Sequence, residues 1–257
     1  MSFPNCRRIV SGVALLAAAL VFAASSAQAT VIDLTTLNAE GTSNGAIFQQ
    51  GDFSSAGTGV IDPFLRVQNN GTEQGFNTSH TPPPLDDKAG NFTKDVTFAD
   101  LMTTEVTING TNYFKIGLDI DQANPTTLSL VTLQIYTAPT GGLATLSDLT
   151  SQGTLRYQMA PGDSVLLDAS LSSGSGSGDM FLYVPVSAFA GTNSTDFVYL
   201  YCVFGDEAHP SNSGPEEWSL VVNPIPEAST FFPIVGLFAA VFSTQFIRRR
   251  QQQRISK

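Results

Sequence analysis

Tyr113-Phe114-Lys115-Ile116-Gly117-Leu118-Asp119-Ile120-Asp121 alternates without a break. On an extended chain Phe114, Ile116, Leu118 and Ile120 share one face, while Lys115, Asp119 and Asp121 share the other. The period is two, and no convincing amphipathic helix competes with it between residues 30 and 222. Working outward, strands are expected at 31–36, 46–50, 60–68, 105–108, 130–137, 154–159, 164–168, 180–186, 197–204 and 218–222. Asn69-Asn70-Gly71, Asn109-Gly110, Gly141-Gly142 and Pro161-Gly162-Asp163 punctuate them as turns. Residues 98–102 and 143–149 read as short helical turns. Many short strands with dense turns predict an all-β fold, a jelly-roll-like β-sandwich.

Two of these strands, 180–186 and 197–204, are apolar on both faces and are expected in mid-sheet, covered on both sides. The stretch 71–95 contains Pro82-Pro83-Pro84 and few apolar residues, so it is expected as an exposed, partly extended loop. Residues 172–178 (SSGSGSG) are expected as a flexible connection.

The charge is divided by position. The chain has 257 residues and a formal charge of -10, yet all 22 acidic residues lie between residues 30 and 227, against only Arg66, Lys88, Lys94, Lys115 and Arg156. That body therefore carries -17. Nucleic-acid binding is excluded on this ground, because phosphate contacts need clustered Lys and Arg. At the amino end Arg7-Arg8 precedes an apolar run over 9–24 and Ala27-Gln28-Ala29 follows, the pattern of a secretory signal peptide removed after Ala29. The Sec machinery and a signal peptidase are the partners this implies. Removal takes Cys6 with it and leaves Cys202 alone, so an intramolecular disulfide is ruled out.

The carboxyl end has three parts in order. Pro226-Glu227-Ala228 comes first, then residues 231–247 (FFPIVGLFAAVFSTQFI) with no charge, then Arg248-Arg249-Arg250. As a helix the apolar run covers about 26 Å at ~1.5 Å per residue, close to a hydrocarbon core of about 30 Å. The arginines are expected on the cytoplasmic side of the inner membrane, leaving the acidic body outside. Together these parts resemble the PEP-CTERM sorting signal, a tail that marks bacterial envelope proteins for an exosortase, a membrane cysteine protease. The resemblance covers residues 224–254 and implies that Pro226, Glu227 and Ala228 are the processing site, with Ala228 standing where the family usually has a second proline. It further implies association with extracellular polysaccharide.

In the body, chemistry is sparse. His80 lies in the proline loop and His209 beside Pro210, each reading as a loop histidine. Glu216 and Glu217 are adjacent, so on a strand they point to opposite faces and make a poor glycosidase pair. Asp119, Asp121 and Asn124 form a patch of hard oxygen donors at a strand end and are the candidate calcium ligands, with a solvated acidic strand end as the alternative. Asp86-Asp87 is a second acidic spot. Tyr199 and Tyr201, with Tyr183 and Trp218 from other strands, are the candidate sugar platform, with a core role as the alternative. No cofactor is expected, with calcium the one candidate. The expectation is a signal peptide (1–29), a β-sandwich ectodomain (30–222) and a sorting tail (223–257) with a transmembrane helix. Its first functional reading is a non-enzymatic envelope or matrix protein. A glycan-binding module on the same route is the second, and a secreted hydrolase the third.

Overall fold

In the computed structural model, residues 29–54, 62–172 and 177–222 are described. The signal segment up to residue 28, Pro226-Glu227-Ala228, the apolar run 231–247 and Arg248-Arg249-Arg250 lie outside them, as do residues 173–176 of the serine-glycine connection. Among the described residues no helix is long and apolar enough to cross a membrane.

The strands in chain order are β1 (Val31–Asp33), β2 (Glu40–Ser43), β3 (Ala46–Ser54), β4 (Pro63–Val67), β5 (Asn70–Gly71) and β6 (Glu73–Phe76). Next come β7 (Val96–Thr97), β8 (Glu105–Ile108), β9 (Thr111–Ile120), β10 (Thr127–Ala138) and β11 (Thr154–Gln158). The last are β12 (Ser164–Asp168), β13 (Ser177–Pro185), β14 (Phe197–Phe204), β15 (Ser211–Asn212) and β16 (Glu216–Leu220). Two short helices, α1 (Phe98–Met102) and α2 (Leu146–Gln152), sit in connections. Thr97 caps α1 in a box with Asp100, whose side chain accepts from the Thr97 backbone N–H at 2.9 Å. Asn109-Gly110 closes the β8–β9 hairpin with φ of 50° and 81°, the left-handed pair such a two-residue turn requires.

Two seven-stranded sheets result. The first runs β1-β12-β10-β14-β6, with β11 also on β10 and β7 on β14; the second runs β2-β3-β13-β9-β16-β4, with β8 also on β9. Pairing is antiparallel except between β1 and β12. Phe114, Ile116, Leu118 and Ile120 are all buried, as their alternation demands, and join Leu133, Leu200, Phe204 and Trp218 in one core between the sheets. The rings of Phe204 in the first sheet and Trp218 in the second stand 6.3 Å apart across that core. β14 lies between β10 and β6, and β13 between β3 and β9, the mid-sheet places expected of strands apolar on both faces.

One sequence expectation fails here. The stretch 71–95 is not a wholly exposed loop: it contains β6, which extends the first sheet, and buries Phe76, Asn77, Thr78, Asp87 and Thr93. Its inward positions on β6 are Glu73 and Gly75, so it lacks the apolar signature that marks the other strands. Asn77 then continues the ladder by side chain, donating from Nδ2 to the Val198 carbonyl at 2.8 Å and accepting the Leu200 N–H on Oδ1 at 2.6 Å.

Candidate functional site

The four aromatic residues of the expected sugar platform are buried, on different faces. Trp218 is wholly enclosed between the sheets. Tyr199 and Tyr201 point out of the first sheet into a second cluster with Phe76, Tyr136, Ala138, Leu143 and Leu149, over which Leu85 and Leu146 pack. Tyr183 is on the outer face of the second sheet, 8% exposed, with the Lys115 ammonium 5.8 Å from its ring and 3.6 Å from that of Phe181. Each tyrosine hydroxyl already has a protein acceptor: the Thr140 carbonyl at 2.9 Å for Tyr199, Gln74 Oε1 at 2.8 Å for Tyr201 and Gln49 Oε1 at 3.2 Å for Tyr183. An open platform of these four rings is therefore corrected. Burying both faces of β14 covered the surface on which a sugar would have to stack.

The expected calcium ligands are spread over a strand end and a loop. Asp119 is half-buried on β9, opposite Glu217 in register, whereas Asp121 and Asn124 are exposed beyond the strand. Among the described residues no group of three or more His, Cys, Asp or Glu side chains could share a metal ion. His80 lines a small hollow with Ser79, Pro83 and Lys94, and His209 Nδ1 stands 3.8 Å from Asp206 Oδ1. Asp86 is tied down by its neighbours, accepting from the Gln74 N–H at 2.9 Å and from Asn69 Nδ2 at 2.8 Å.

The polar side chains that the fold does bring together lie at one end of the sandwich, here its upper end, where β9 passes into β10. Three loops close it: 68–72 between β4 and β6, 121–126 between β9 and β10, and 205–215 between β14 and β16. They are sewn to one another. Ser211 and Asn212 pair with Gly71 and Asn70 as the two-stranded β15–β5 ladder, Ser211 Oγ donates to the Asn69 carbonyl at 3.0 Å, and the Asn212 N–H donates to Gln122 Oε1 at 3.1 Å. Gly214 packs so closely on the 121–126 loop that a Cβ there would stand 1.4 Å from the Asp121 carbonyl oxygen.

Into this end β6 and β16 each turn a glutamate inward, Glu73 and Glu216, both at 0% exposure. Glu73 Oε2 accepts the Asn69 N–H at 2.6 Å, and Glu216 Oε1 accepts from Gln122 Nε2. The two carboxyls are within hydrogen-bonding reach of each other, yet Glu73 Oε1 and Glu216 Oε2 have no donor. Burial raises the pKa of Glu73 and pushes that of Glu216 well up, the latter further because Glu73 lies beside it. Neighbouring Glu217 faces the other way and pairs with the Arg66 guanidinium. Adjacency with Glu217 hid Glu216 in the sequence. The signal that could have found it is its alternation with Trp218, since residues two apart on a strand share a face.

Deeper along the same interior lies a third carboxyl. Asp87 is buried beside Gly75, where an added Cβ would stand 1.7 Å from Asp87 Oδ1 and 2.4 Å from Val67 Cγ1. Burial pushes the Asp87 pKa up to about 7. The Phe76 and Leu85 backbone groups offset this only in part, and neither carboxylate oxygen completes a hydrogen bond. The thiol of Cys202, across from Gly75 in the β14–β6 ladder, is likewise pushed up by burial.

No protein-family model, curated protein or solved structure matches the chain.

Proposed function

We propose that the chain is an exported, non-enzymatic protein of the bacterial cell envelope or extracellular matrix, sorted through its tail and cleaved by an exosortase-type protease at Pro226-Glu227-Ala228. The observation that carries this reading is the direction of the body's two ends. β1 runs parallel to β12 toward the upper end, and β16 runs away from it, from Glu216 opposite Ile120 to Leu220 opposite Ile116. Both ends of the body therefore open toward the lower end. A body released after Ala29 and tethered through residues 223–257 would hang from the inner membrane by that end, with the Glu73–Glu216 end outermost. Extracellular polysaccharide is the surrounding such a protein meets.

A jelly-roll topology for the body belongs to the same proposal. It is supported by eight strands that in chain order are β4, β6, β9, β10, β12, β13, β14 and β16. They lie as β4-β16-β9-β13 in one sheet and β6-β14-β10-β12 in the other. That arrangement is the one two interlocked Greek keys produce.

The test is the intact mass of the protein recovered from an exosortase-bearing host. The expected species lacks residues 1–29 and ends near Glu227. A product that still contains residues 248–257 overturns the processing step.

A further inference from the structure

We propose that Glu73 and Glu216 hold a calcium ion that ties the three upper loops to the sandwich. Two carboxylates enclosed within reach of each other cannot both stay ionised without a counter-charge, and among the described residues no Lys or Arg pairs with either. Their two remaining oxygens are aimed into the protein with no donor to satisfy them. A divalent cation answers both conditions at once: its charge balances the pair, and it takes oxygen lone pairs rather than protons. A further hard oxygen stands beside Glu73 in the Ser211 hydroxyl, while Gln122 holds the other Glu216 oxygen by donating to it from Nε2. Carboxylates from two strands with a neutral hydroxyl oxygen from a loop suit calcium better than magnesium, which demands a rigid octahedron, or zinc, which favours nitrogen and sulfur.

The site differs from the Asp119, Asp121 and Asn124 patch, which is on the outside of the same end. Affinity in the range of about 0.1 to 1 mM, typical of extracellular modules, rests on the reading of the chain as exported. The site itself does not, because binding is measured on purified protein whatever its route.

The test uses the full chain purified in detergent. Terbium, a calcium stand-in, is excited through Trp218, which shares the inward face of β16 with Glu216 two residues away. Sensitised terbium emission is expected, competed away by excess calcium, and lost in Glu73→Gln and Glu216→Gln but kept in Asp119→Asn/Asp121→Asn. In parallel, 10 mM calcium is expected to raise the melting temperature by about 5 °C over EDTA, the order that saturation at 100 times Kd produces in a body of this size. Glu216→Gln keeps the side-chain volume and removes a buried charge, so it is expected to fold, to melt above the parent in EDTA and to ignore calcium. Parent melting that is identical in calcium and EDTA overturns the proposal and leaves the pair sharing a proton instead. A calcium response that survives Glu73→Gln/Glu216→Gln but vanishes in Asp119→Asn/Asp121→Asn overturns it in favour of the outer patch.

Discussion

Asp87→Asn should stabilise the protein at pH 8 and leave it almost unchanged at pH 3.5. Asp87 is buried, its two oxygens lack hydrogen-bond partners, and burial moves its titration from 3.8 in an open chain to about 7 in the folded one. The sign follows from proton counting. Below pH 3.8 the carboxyl is protonated whether the chain is folded or not, and it costs nothing extra. Between 3.8 and about 7 the folded state keeps the proton while the unfolded state releases it, so rising pH favours unfolding. Above that window the folded state also ionises, and the penalty stays constant. At 1.36 kcal/mol per pH unit the full window corresponds to about 4 kcal/mol. The side-chain amide of Asn has nearly the same shape and no charge to desolvate. Asp86, whose charge adds to the upward push, is untouched by the change. Urea unfolding of parent and variant at pH 3.5, 5, 6, 7 and 8 measures the difference directly, and contributions from the other carboxyls cancel in it. A gain of about 2 kcal/mol or more at pH 8, shrinking steadily toward acid, is the expected result. Equal stability at pH 8, or a gain independent of pH, would refute the reasoning.

Asn77→Ala removes the side chain that satisfies both the Val198 carbonyl and the Leu200 N–H in a buried part of β14. Two orphaned backbone groups at about 1–3 kcal/mol each predict a large loss in denaturant midpoint, and a loss under about 1 kcal/mol would mean water reaches the strand. Gly75→Ala drives a methyl into Asp87 Oδ1 and Val67; a cost of about 1–3 kcal/mol is expected, reduced when Asp87 is truncated in the same chain. A cost unchanged by that truncation counts against the contact. Cys202 is fully enclosed and its thiol pushed up in pKa, so Ellman's reagent should label the processed protein only at the rate of unfolding. Labelling within seconds in native buffer contradicts its placement.

The alternation at residues 113–121 carried far because apolar atoms were on every inward position. Residues 105–108, 164–168 and 197–204 correspond to β8, β12 and β14 residue for residue, and 98–102 to α1. β6 escaped because its inward positions hold Glu73 and Gly75. An acid is buried there only when a second element brings it an enclosed partner, and that partner, Glu216, is more than a hundred residues away in sequence. Local periodicity contains no information about such a meeting. The aromatic site failed for a different reason, one that two sequence expectations already contained. A strand apolar on both faces belongs in mid-sheet with cover on each side, and a strand presenting Tyr199 and Tyr201 to a sugar must leave one side bare. Both could not hold for β14. The cover comes from Phe76 on β6, from Leu143 and from Leu149 on α2, and it leaves their faces no room for a ligand. What the sandwich encloses at its upper end is chemically more demanding than the surface it covers: two carboxyls that need a proton or a cation, held where the only inward-facing alternation that could reveal them ran through Trp218.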